Sequence, residues 1–417
     1  MLSRCSLRQL SCLLLLLLLA ACSSAPPPEI AEAPTNALQP EATTVPAETT
    51  VAPSSTPSST PTSTASPVPA TNTPLPTATD TPQPTATDTP QPTATDTPLP
   101  ATATSTSTTE PLSPTAAPVE EAVRGPVLPR GRITARPWMV MIDNHPDAYP
   151  QSGMDKAALV FEGLAEFGVS RFIATYADGI TPPASEIGPV RSTRVYFAQW
   201  AMGFHAIYAH AGGSPDGQQL VQQTKALVNF EADQSAYSWR DKRRKAPHNL
   251  YTSAKLLRAF ANDRGVATFN DETVGYLYSA TPAEGAPATR LNYFFQDQGS
   301  AVAWSWSASE GVYYRTQRGR PHTDRITGRQ LWTNNLVVMQ VSGGRREGDD
   351  KARIDQNVVG SGAARIFRDG RMIKATWSKP GAAAPLRFYD AADVEIRFAP
   401  GSIWIASIPT LERLGVR

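Results

Sequence analysis

Apolar positions along the 417-residue chain fall into three regimes: a continuous run over residues 10–21, a long stretch almost without large apolar side chains, and periodic patterning from about residue 136 onward. In the third regime, Trp138-Met-Val-Met-Ile predicts a buried strand ending at Ile142, followed by the polar turn Asp143-Asn144-His145-Pro146. Residues 158–166 and 169–176 are rich in strand-forming side chains and are separated by Phe167-Gly168, which predicts a hairpin. A helix is predicted over 192–202, a strand over 206–210, then a glycine loop and a helix over 218–227. Strand, glycine loop and helix in that order are an α/β signature. Another helix is predicted over 252–264, ended by Gly265. Beyond about residue 288 the helical period fades. Strands are predicted at 301–306, 311–316 and 336–341, around an Asp369-Gly370 hairpin turn, on both sides of a turn between Phe388-Tyr389 and 394–398, and at 402–408. The expectation is an α+β chain: a mixed α/β segment over 126–285, a boundary in the Ala/Pro/Gly-rich stretch 280–288, and a β-rich segment over 286–417 that runs as a meander.

The start of the chain changes the picture. Arg4 and Arg8 precede the apolar run, which closes as Leu19-Ala20-Ala21-Cys22. A basic start, a short apolar core and small residues at its end describe a secretory signal peptide, and the run is shorter than the ~20 residues of a membrane span. Leu-Ala-Ala-Cys has the form of a bacterial lipobox. Residues 1–21 then read as a lipoprotein signal peptide and Cys22 as the acylated first residue of an exported, membrane-anchored protein. With Cys5 and Cys12 removed and Cys22 carrying lipid, the folded part holds no thiol, which excludes cysteine nucleophiles and thiolate metal sites there.

Composition splits at the same place. Of 39 prolines, 22 precede residue 126, and Thr-Pro-(Leu/Gln)-Pro-Thr-Ala-Thr-Asp repeats at 73–80, 81–88 and 89–96. Such a segment has nothing to pack between repeats, so 22–125 is predicted to be a disordered, low-complexity tether. Its reach lies between ~55 Å as a coil and ~300 Å as polyproline II. The net charge of +1 is a cancellation: residues 1–125 hold 3 basic and 10 acidic side chains, and the remainder holds 35 basic and 27 acidic. Arginine outnumbers lysine in that remainder by 27 to 8. An Arg-rich basic head predicts anionic partners.

Several stretches resemble the YerB-like bacterial lipoproteins, a family of unknown function with a C-terminal partner domain. They are Met141-Ile-Asp-Asn-His-Pro, Pro150-Gln-Ser-Gly, Ile187-Gly-Pro-Val-Arg-Ser, His210-Ala-Gly-Gly-Ser-Pro, Trp239-Arg-Asp-Lys, Lys245-Ala-Pro-His-Asn-Leu-Tyr, Pro321-His-Thr-Asp-Arg, Val359-Gly-Ser-Gly and Phe367-Arg-Asp-Gly. The resemblance implies an anchored envelope protein with an α/β domain followed by a β-rich one. It implies no established reaction and no assigned catalytic residue. The long tether departs from the family pattern.

Candidate chemistry concentrates in the turns. His145, His210, His248 and His322 fall in turns or at a strand end, beside Asp143, Asn144, Asn249, Asp241 or Asp324. No HxH or HExxH spacing is present, so these histidines read as loop staples before ligands, and neither a metal nor a cofactor is expected. Gly212-Gly213-Ser214 between strand and helix either offers free amides to an anion or simply makes a tight turn. Arg191 and Arg194, three apart, would share one face of a helical turn. Arg240, Lys242 and their basic neighbours form either an anion-binding loop or a solvated face. Arg171 with Glu162 and Glu166 reads as the wet side of a sheet, the alternatives being a carboxylate pair or an ion-pair network with Arg171. No G-x-S-x-G elbow is present, so a serine hydrolase has no support. The head is expected to bind an anionic cell-wall polymer or an envelope protein. The alternative is an enzyme on a phosphate-bearing or glycan substrate, with His210 or His248 as acid–base. Nucleic acid is not expected as a partner.

Overall fold

A computed structural model describes residues 124–417 except 234, 298 and 299. The predicted signal peptide, Cys22 and all but the last two residues of the predicted tether lie outside the described residues. The first half of the described chain carries strands β1 (Trp138–Asp143), β2 (Leu159–Leu164), β3 (Ser170–Tyr176), β4 (Ile207–His210) and β5 (Val228–Glu231), with helices α1 (Val195–Met202), α2 (Pro215–Gln223) and α3 (Ala254–Asp263). The second half carries β6 (Arg290–Tyr293), β7 (Val302–Ser307), β8 (Val312–Gln317), β9 (Asn335–Gln340), β10 (Gly343–Arg345), β11 (Ile354–Gln356), β12 (Gly360–Arg368), β13 (Arg371–Lys379), β14 (Arg387–Tyr389), β15 (Ile403–Ile408) and β16 (Leu414–Val416). The fold class is α+β.

One eleven-stranded sheet runs through both halves, in the order β14-β13-β12-β9-β15-β2-β3-β1-β4-β5, with the two-residue strand Ala286–Pro287 paired to β13. The seam is β15, which pairs parallel with β9 on one side and parallel with β2 on the other. Ile-Trp-Ile-Ala-Ser-Ile is buried along its whole length because neighbours flank it and layers cover both faces. The predicted meander therefore ends at β13–β14. The next long strand crosses to the middle of the sheet instead of continuing at its edge. A second sheet, with Arg320–Pro321, β8, β7, β6 and β16 in order, packs against the first.

Alternating side chains of the large sheet feed two cores. Val140, Ile142, Phe172 and Trp404 meet α3 through Leu257 and Phe260, and the second sheet through Leu291, Tyr293 and Trp304. Met139, Met141, Ile173 and Ile405 meet α1 through Tyr196, Phe197 and Trp200. Trp200 stacks on Phe161 at 5.2 Å. The residues 158–176 hairpin and the Asp369-Gly370 turn form as predicted. The helices are shorter than their predicted spans or displaced along the chain. Ser214 caps α2 by accepting from the Gly217 amide at 3.3 Å, so the helix starts at Pro215 and stops before Thr224. Residues 394–398 make only isolated bridges, at Glu395 and Phe398.

Candidate functional site

The site is set by strand direction. β1, β4 and β5 run parallel, and the chain leaves β1 and β4 at the same edge of the sheet, where open α/β sheets place their ligands. Antiparallel β3 begins at this edge, with Arg171 in register opposite Asp143. The segment before α1 is laced into the edge: the Arg191 amide donates to Met141 (3.0 Å), the Thr193 amide to Gly212 (3.1 Å) and the Ser214 amide to Thr193 (3.3 Å). The result is a cleft of about 760 Å³. Six cationic side chains line it (Arg171, Arg191, Arg194, Arg318, Lys351, Arg353), with three carboxylates (Asp143, Glu166, Asp350) and the two histidines His145 and His248.

Two carboxylates organise the charge. Asp143 is 2 % exposed; one oxygen accepts from the His145 amide at 3.1 Å, and the other lies 2.7 Å from His248 Nδ1 and 3.1 Å from Arg191 Nε. This bond holds the proton of neutral His248 on Nδ1 and leaves Nε2 to accept one. His145 stacks on His248 with ring centres 4.5 Å apart and planes 15° apart. Glu166 is clamped by Arg194 Nε and by Arg171 at 3.2 Å. Burial alone would raise its pKa, but the Arg194 hydrogen bond and the two guanidinium charges outweigh that and hold it below the usual carboxylate range. Burial, reinforced by the neighbouring Arg194 charge, brings Arg171 down to about 10, still cationic at neutral pH. Arg318 and Lys351 at the rim make no ion pair among the described residues, whereas Arg353 is held by Asp349 at 2.7 Å.

Of the predicted residues, Asp143, His145, Arg171, Arg191, Arg194, Gly213, Ser214 and His248 meet in this cleft. The geometry corrects several expectations. Arg194 is extended (φ −139°, ψ 160°), so Arg191 and Arg194 share a cleft rather than a helical face. The glycine loop is not an open amide cradle, because Gly212 donates to the Glu231 carboxylate and Ser214 to Thr193. His210 is buried with its ring nitrogens 2.9 Å from the Gly212 carbonyl and 3.0 Å from Asn229 Oδ1, which withdraws it from acid–base work. Asn144 is buried among Ser170, Tyr149 and Gln151. The basic loop folds on itself: Arg240 pairs with Asp233 and Asn249, Asp241 with Arg243 and Arg325, and Asn249 with the loop carbonyls, while Lys242 is exposed. Asp324 caps the amides of Met154 and Ile326.

The wet-side reading of Glu162 is overturned, because the second sheet covers that face. Glu162 and Arg315 are both 0 % exposed and pair at 2.7 Å. His322 accepts from Arg315 at Nδ1 and donates from Nε2 to Gln151 at 2.7 Å. His145, Asp147 and His248 bring ligand atoms within 4.8 Å of one another, and they form the one such cluster among the described residues. The two rings lie nearly parallel, so their in-plane lone pairs run side by side instead of converging as a tetrahedral ion requires. Arg318, Lys351 and Arg353 escaped sequence reading because they reach the cleft from the second half of the chain, and no local motif announces that approach.

Residues 125–267 match the family described as protein of unknown function (DUF3048), N-terminal domain, and residues 290–405 match its C-terminal domain. The chain belongs to this family. It is 30% identical over 287 residues to a Bacillus subtilis (strain 168) protein named "Putative lipoprotein YerB", covering 67% of this chain and 83% of that one. The crystal structure of the YerB protein from Bacillus subtilis superposes with a TM-score of 0.60 at 28% identity, over 68% of this chain and 94% of that chain. Among the described residues, no helix is long and apolar enough to cross a membrane.

Proposed function

We propose that this family member is an exported lipoprotein, acylated at Cys22, whose head binds an anionic, phosphate-bearing polymer of the cell envelope. The lipobox, the thiol-free head, the tether and the name of the Bacillus subtilis relative support the address. The observation that carries the binding reading is the convergence of six cationic side chains against three carboxylates in one cleft. Arginine suits this task because its planar fork grips phosphate or carboxylate oxygens bidentately. The tether gives the head reach to a partner away from the bilayer.

Retention of poly(glycerol phosphate) by the full chain is the test. Arg191→Ala/Arg194→Ala is expected to weaken it by at least about tenfold, and salt is expected to weaken the wild-type complex. Retention that the double variant and salt leave unchanged contradicts the reading. A second reading, hydrolysis of a phosphate ester, is favoured by one observation: the Asp143–His248 pair beside three arginines, with Nε2 free to take a proton from water. Release of glycerol phosphate from that polymer, by water adding to a phosphodiester with a glycerol hydroxyl leaving, is its expected signature and is abolished in His248→Ala; no release by the wild type removes it.

A further inference from the structure

A largely apolar trough of about 370 Å³ adjoins the cationic cleft, walled by Leu164, Phe295, Val341 and Ile354, with Arg345 and Arg413 also on its lining. Phe167 lines both the trough and the cleft, so the two cavities meet at this residue. The β10–β11 hairpin is shared in the same way: its strands face the trough and its turn supplies Asp350, Lys351 and Arg353 to the cleft. Phe167 is 80 % exposed and sits at φ 59°, ψ 31°, a left-handed conformation that a bulky side chain rarely adopts. Nothing in the core is gained by holding a phenyl ring there. A ligand passing from one cavity to the other would cover it.

We propose that the two cavities form one site for an amphiphilic phosphate: a single apolar chain in the trough, and its phosphate head against Arg194, Arg191 and the rim cations Arg318 and Lys351. This rests on the reading of the cleft as an anion site and names the class of anion it takes. The occupant is a single lipid phosphate, not a bilayer surface. The trough is a bounded slot with room for a single chain, and among the described residues only Phe167, Ile326, Val359 and Val394 are large apolar side chains that stand exposed. The larger group of cations lies in the cleft and most of the apolar side chains in the trough, where Arg345 and Arg413 are the charged groups on the wall.

Calorimetry of the full chain with octyl phosphate, inorganic phosphate and octyl glucoside separates the contributions. Octyl phosphate is expected to bind at least about tenfold more tightly than inorganic phosphate, with octyl glucoside weaker than octyl phosphate. Phe167→Ala, at an exposed position, is expected to weaken octyl phosphate at least severalfold more than inorganic phosphate, removing most of the chain's advantage. Equal affinities for octyl phosphate and phosphate, an undiminished advantage in Phe167→Ala, or equal binding of octyl glucoside each overturns the inference. Binding confined to anionic phospholipid vesicles also overturns it, in favour of a membrane surface. If the polymer is retained but the octyl chain adds nothing, only this inference falls; if neither polymer nor any phosphate binds, the anion reading falls with it.

Discussion

Arg315→Leu is expected to cost the head about 3–5 kcal/mol, the range for removing one partner of a buried ion pair. Arg315 and Glu162 are wholly buried, and the guanidinium lies 4.9 Å from the centre of the Trp404 ring. Glu162 also accepts from Ser170 (2.9 Å), Tyr293 (3.2 Å) and Trp404 (3.0 Å), so without Arg315 the sheet encloses a carboxylate with no counter-charge. Urea unfolding reads the loss as a lower midpoint. The pair Arg315→Met/Glu162→Gln is expected to recover part of it, because Gln removes the stranded charge while its amide oxygen still accepts from the buried donors. A single variant as stable as wild type contradicts the account. The same network sets an acid limit. Burial, reinforced by the Arg315 charge, pushes the His322 pKa well below its ordinary value. As pH falls below about 6.5, the unfolded chain takes up a proton that the native state refuses, and stability drops by about 1.4 kcal/mol per pH unit until the native value is reached. His322→Gln is expected to remove that component of the slope.

Glu166→Gln is expected to trade stability for affinity. Glu166 occupies Arg171 and Arg194, the groups a bound anion needs, and so acts as a resident competitor. Neutralising it is expected to raise affinity for poly(glycerol phosphate) about tenfold, roughly the effect of 1.4 kcal/mol. It is also expected to lower stability by about 1.5–3 kcal/mol through weakened charged hydrogen bonds. The stability term has a pH signature. A carboxylate with a depressed native pKa contributes fully above its unfolded pKa, near 4.3, and that contribution is lost as pH falls through the native value. The Gln variant is expected to lack it. Unchanged affinity together with unchanged midpoint contradicts Glu166 as an electrostatic clamp.

Local patterns were legible where local physics decides. The apolar run of β1, the Phe167-Gly168 hairpin and the Asp369-Gly370 turn are written in adjacent residues. The placement of β15 was not, because an apolar run signals burial on both faces without naming its neighbours. Glu162 was misread for a related reason: alternation assigns a side chain to a face of the sheet, and only the tertiary arrangement shows that a second sheet covers that face. In the site, Asp143, His145, Arg191, Arg194 and His248 converge because the Asn144, His210 and Asp241 networks fold their loops onto one edge. Asn144, His210, Asp241, Asn249 and Asp324 drew attention as polar residues in turns, and their hydrogen bonds are spent holding those turns. Arg318 and Lys351 come from distant chain segments and carried no signal at all.

The central claim is that the cleft at the β1–β3 edge is where the head meets its anion. Hydrogen–deuterium exchange of the full chain with and without poly(glycerol phosphate) tests it most directly. The account predicts new protection in 165–171, 191–194 and 248–250 and at the 349–353 turn, reduced in Arg191→Ala/Arg194→Ala. Protection confined to the basic stretch at 242–245, or unchanged exchange at the cleft while the polymer is bound, would contradict it.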